Sequence, residues 1–75
     1  MTIKEAAERL AAMYREAPER EKVLSVHLFG IKYAEQIDGI PAHDIAERAN
    51  LPRSYGTEIR KGIRLARYVQ LRDAT

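Results

Sequence analysis

There is no cysteine in this 75-residue chain. A disulfide framework is therefore excluded, and so is a thiolate metal site; the absence fits a reducing cytosol. Nor is there any stretch near the roughly 20 apolar residues that span a bilayer, and no apolar signal region follows Met1. Both lacks lead to the expectation of a cytoplasmic protein. Gly30, Gly39, Gly56 and Gly62 are scattered rather than gathered into a phosphate-cradling loop. His27 and His43, the two histidines, stand sixteen positions apart with no third ligand at metal spacing. His27, inside an apolar run, reads as a partly buried core residue, and His43 as an exposed residue near a helix start. Neither Ser25 nor Ser54 has a histidine in motif spacing, so no nucleophilic triad is indicated. No metal, no cofactor and no enzymatic activity are expected.

What is there is 45% hydrophobic, but eleven of those residues are alanine. The core should be thin and built from helices at close approach. A domain this small buries only about 60% of its unfolded surface, which favours self-association. Thr2 and Glu5 form a T-x-x-E capping box, and Ile3, Ala6, Ala7, Leu10, Met13, Tyr14 and Ala17 then recur at helical spacing. Pro18 stops this helix and opens the next, with Glu19 and Glu21 in its first turn and Gly39 as its left-handed stop. Val23 to Tyr33 is apolar nearly all round, which suits a buried central helix or an interface with a second copy of the chain. After Ile40-Pro41, Ile45, Ala46 and Ala49 make the buried stripe of a short third helix, with Asp44 in its first turn. Asn50 takes the sharp turn, because asparagine tolerates the left-handed conformation. Leu51 plugs the turn, and Pro52 pre-sets a fourth helix. These signals place helices over residues 3–17, 19–38, 42–49 and 52–67 of one domain, residues 1–75. The alternating tail Tyr68-Val69-Gln70-Leu71-Arg72 fits either a short C-terminal strand or a frayed helical end.

The net charge of +2 is unevenly spread. Residues 1–38 hold six Lys/Arg against seven Asp/Glu, and residues 39–75 hold seven against four. Arg53, Arg60, Lys61, Arg64, Arg67 and Arg72 face a single acid, Glu58, between positions 53 and 72. The positive field is local to the last helix. On that helix Gly56, Ile59, Ile63 and Ala66 share one stripe, and Arg53, Thr57, Arg60 and Arg64 share another. The first stripe should face the core and the second the solvent. Glu58 could accept from a cytosine amino group or pair with Lys61, three positions on.

From Ala42 to Arg64 the chain resembles helix-turn-helix DNA-binding domains. Ile45 and Ala46 stand where that pattern has a branched residue followed by a small one. Ala49, Asn50 and Leu51 match its small residue, turn and apolar plug, and Ile59 matches one of its second-helix contacts. Asparagine replaces the usual glycine at the turn. Gly56 replaces a branched residue, at about 1 kcal/mol of helix propensity relative to alanine, and would admit an unusually close packing. The resemblance implies an all-α, compact four-helix domain of bacterial or phage type. It implies sequence-specific binding of double-stranded DNA, as a transcriptional regulator or a DNA-targeting module. Arg53, Ser54, Tyr55 and Thr57, at the start of the second helix, would meet base edges, and Arg60, Lys61 and Arg64 would meet phosphate. Useful specificity would call for a dimer, for which Val23–Tyr33 offers a surface.

A different class fits some of the same features. The fold could serve as a protein-interaction module, an adaptor or inhibitor, using the apolar second helix or the basic fourth helix. Binding to random-sequence duplex DNA at low and higher salt separates the two readings.

Overall fold

Residues 1–72 are described by a computed structural model of the chain. The first helix, α1 (Ile3–Glu16), begins with the reciprocal cap its sequence encodes. The Glu5 N–H donates to Thr2 Oγ1 at 3.1 Å, and the Thr2 N–H donates to Glu5 Oε1 at 2.9 Å. Hydrogen bonding to the Thr2 backbone, and then to its side chain, holds the Glu5 carboxyl below its ordinary value. At the other end the Lys22 ammonium donates to the carbonyls of Tyr14 and Arg15, at 2.8 and 3.1 Å. A cation thus satisfies the orphan acceptors of the last turn.

After Pro18 the chain makes a 3-10 turn at Glu19–Glu21 and enters α2 (Lys22–Lys32). The expected helix over 19–38 is thus shorter at both ends. Beyond Lys32 the chain coils through a run of turns that closes at Gly39; its φ of 85° is the left-handed conformation its sequence suggests, but it ends the turns and not the helix. The run mimics a helix in sequence because Tyr33 and Ile37 still stand one turn apart, joined by the Ile37 N–H to the Tyr33 carbonyl at 3.0 Å. Ile37, 1% exposed, is thereby carried into the core.

The third helix, α3 (Ala42–Arg48), ends one residue short of the expected Ala49, and Asn50 takes the expected left-handed turn with φ 63°. Pro52 does not start an α-helix directly. A 3-10 turn at Arg53–Tyr55 comes first, and α4 runs from Gly56 to Leu65. The expected helix over 52–67 is corrected accordingly. Among the described residues there is no strand: Ala66 to Tyr68 form a turn, and the segment to Arg72 lies outside any regular element. Of the two alternatives for the tail, the C-terminal strand is therefore absent up to Arg72, since an alternating pattern without a neighbouring strand has no ladder to join.

Ala6, Leu10, Val26, Phe29, Ile37, Ala42, Ile45, Ala46 and Ile59 form one core to which all four helices contribute. The most extensive helix pair is α2 with α4. At their crossing the glycines are decisive. A Cβ on Gly30 would strike the Ile59 carbonyl oxygen, and one on Gly62 would meet the His27 carbonyl and lie 2.9 Å from the Gly30 Cα. The backbones touch, as a core poor in bulky side chains requires. The apolar band of α2 divides: Val26 and Phe29 are fully buried, while Val23 and Leu24 are exposed. Among the described residues no helix is long and apolar enough to cross a membrane.

Candidate nucleic-acid interface

Helix α4 is fixed on its inner side by Gly56, Ile59 and Gly62, with Ile63 and Ala66 partly buried beside them. The expected stripe of Gly56, Ile59, Ile63 and Ala66 is thus shared with Gly62, which carries no apolar side chain to mark it in the sequence. Gly56 is used for close approach. A Cβ there would lie 2.7 Å from the Cα of His43 and 2.5 Å from its Nδ1. The imidazole occupies the space a branched residue would fill. Its Nδ1–H donates to the Arg53 carbonyl at 2.8 Å, which locks the start of α3 to the turn that leads into α4.

The residues marked out by the sequence fall into two groups. Arg53 and Tyr55 are engaged by the protein itself. The Arg53 guanidinium donates to Asp44 Oδ1 at 2.8 Å and lies 3.6 Å from Glu47 Oε1, so it is bound to the acidic side of α3. Tyr55 is half-buried, with its ring 6.2 Å from that of Tyr14. Ser54, Thr57, Arg60, Lys61 and Arg64 are exposed. Around the helix, Thr57, Arg60, Lys61 and Arg64 occupy one continuous face opposite the buried stripe. Arg60 and Arg64 have no acid within ion-pair distance among the described residues.

Glu58, at the edge of this face, turns inward. Its Oε1 accepts from His27 Nε2 at 2.6 Å and lies 3.5 Å from Lys61 Nζ. The His27 hydrogen bond is the main cause that keeps the Glu58 carboxyl below its usual value; partial burial opposes it, and Lys61 adds to it. Of the two roles considered for Glu58, the pairing with Lys61 is realised, and an α2–α4 tie is added that the sequence spacing did not suggest. His27 is accordingly a tether between helices rather than a plain core residue. Sequence reasoning also passed over the far end of the face. Leu65 and Tyr68 are 44% and 80% exposed, beside Lys61, Arg64 and Arg67. Their spacing, Lys61, Arg64, Leu65 and Tyr68 at i, i+3, i+4 and i+7, is the signal that could have found them.

The assembled site is a convex basic helix on a rigid two-helix corner, a shape that enters a groove rather than enclosing a small molecule. A family model described as an HTH-like domain matches residues 2–72. The chain belongs to that helix-turn-helix family, which points to DNA as the general class of partner. No curated protein and no solved structure matches the chain.

Proposed function

We propose that the protein binds double-stranded DNA sequence-specifically by laying α4 in the major groove, as a cytoplasmic transcriptional regulator or a DNA-targeting module with no catalytic step of its own. The observation that carries this reading is the outer face of α4: Thr57, Arg60, Lys61 and Arg64 are exposed together opposite the buried stripe. Arg60, Lys61 and Arg64 bind phosphate, and Ser54 and Thr57 reach base edges. Arg53 and Tyr55 contribute by fixing the corner, since their side chains are already engaged with Asp44 and Tyr14.

One short helix reads few base pairs, so specificity calls for a second copy, with half-sites spaced by the dimer. Val23 and Leu24, the outward part of the apolar second helix, support that assembly. The same pair favours a second reading, an adaptor or inhibitor that docks a protein on α2.

Titration of random-sequence duplex DNA at low and then higher salt tests the proposal. Measurable, salt-sensitive association is expected, and it is lost in the double variant Arg60→Ala/Arg64→Ala while thermal unfolding is unchanged. No association by the folded wild-type protein would transfer the case to the protein-interaction reading.

A further inference from the structure

Where α4 ends, the exposed surface changes character. Leu65 is 44% and Tyr68 80% exposed. The chain continues past Leu65 in a last turn, held by the Tyr68 and Val69 N–H groups, which both donate to the Leu65 carbonyl at 2.9 and 3.0 Å. That turn keeps Tyr68 in line with the exposed face. Together with Lys61, Arg64 and Arg67 the two apolar side chains line one shallow hollow. An exposed tyrosine ring and an exposed leucine among three cations suit a polyanion that carries apolar groups on its surface. The thymine methyl in the major groove, with phosphates to either side, has that chemistry.

We propose that Leu65 and Tyr68 are the apolar reading element of the DNA surface, pressing on thymine methyl groups while Arg64, Arg67 and Lys61 bind the flanking phosphates. This rests on the DNA-binding reading and extends it. With Arg53 bound to Asp44 and Tyr55 packed on Tyr14, the first turn before α4 has fewer groups to spare for bases. The reading edge, begun by Ser54 and Thr57, is thereby extended into the C-terminal half of the helix.

The test uses a duplex selected by the wild-type protein from a random pool, a random-sequence duplex, and the selected duplex with deoxyuridine in place of thymidine, which lacks only the methyl. Tyr68→Ala should weaken binding to the selected duplex about tenfold, the size of one lost base contact, and leave the random duplex within about twofold, since phosphate contacts carry that binding. Tyr68→Phe, which keeps the ring, should bind like wild type. Deoxyuridine should weaken the wild-type protein and have no further effect on the double variant Leu65→Ala/Tyr68→Ala. Equal losses on both duplexes, no loss at all, or a deoxyuridine effect that persists in the double variant would each overturn the inference and leave DNA binding standing. Absence of any wild-type binding to DNA would overturn the parent reading and this one together. Tyr68 is so exposed that the variant should unfold at the wild-type temperature, which a thermal melt checks.

Discussion

Arg53 is a cation that the protein neutralises itself. It stands on the turn that leads into α4, but its guanidinium is bound to Asp44 at 2.8 Å with Glu47 at 3.6 Å. Exposed pairs of this kind contribute under about 1 kcal/mol to stability. Their larger effect is on the field next to the basic face of α4. Replacing both acids, Asp44→Asn with Glu47→Gln, should release Arg53 and remove two negative charges. Affinity for random-sequence duplex should then rise several-fold at low salt, and the gain should shrink as salt is added. A filter-binding or anisotropy titration reads this directly. Glu58 gives a second prediction with a defined sign. Its folded pKa lies below its ordinary value of 4.5, so the carboxylate contributes stability that is complete above that pH and is lost as pH falls through the folded value. Glu58→Gln should therefore lower the melting temperature at neutral pH, and the wild-type and variant curves should converge as the pH falls through the lowered folded value. Neither contact was legible in the sequence. Asp44 with Arg53 and His27 with Glu58 join residues brought near only by the fold, whereas Glu58 with Lys61 lies on one helix and could be read from spacing alone.

At the level of elements, the crossing of α2 and α4 decides whether the corner exists. Gly30 and Gly62 face each other there, and an added Cβ at Gly62 would strike the His27 carbonyl, an atom of helical backbone that cannot turn aside. An exposed helical glycine replaced by alanine usually stabilises, by about 0.4–1 kcal/mol. Here the sign reverses. Gly62→Ala should cost about 1–3 kcal/mol through overpacking, which in a domain of this size lowers the melting temperature by about 4–8 °C for each kcal/mol. Differential scanning fluorimetry would show it, and an unchanged or higher melting temperature would mean that the helices do not touch as described. The elements themselves were largely legible. The Thr2–Glu5 box, the stop of α1 at Pro18 and the left-handed Asn50 are local chemistry, and each acts where the sequence puts it; Gly39 is left-handed as expected but closes a run of turns. What failed was length. The 33–39 segment keeps helical spacing in Tyr33 and Ile37 while its backbone turns, and the two 3-10 turns after Pro18 and Pro52 look like helix starts because proline fits both. The pairing of Gly30 with Gly62 was hidden for another reason: a glycine's partner across a helix crossing leaves no periodic mark.

For the whole molecule the question is how many phosphates one binding event engages. The net charge is only +2, and residues 1–38 are slightly acidic, so the protein should not coat DNA indiscriminately. On the proposed reading, attraction is confined to the α4 face and the turn after it. There Arg60, Lys61, Arg64 and Arg67 are exposed, and Arg53 is held back by acids. Each phosphate neutralised contributes about −0.9 to the slope of log Kobs against log salt. Four cations per chain thus set a slope of about −3.6 for a monomer and about −7 for a dimer that seats both α4 helices. The two values are far enough apart for a salt series between 50 and 200 mM to separate them at about the range such series cover. If Val23 and Leu24 join two copies, Leu24→Lys should bring the slope from the steep value to the shallow one without weakening the remaining per-chain contacts. A shallow slope in the wild-type protein, unaltered by Leu24→Lys, would instead assign the DNA contact to a single α4 and leave the exposed pair on α2 with no part in it.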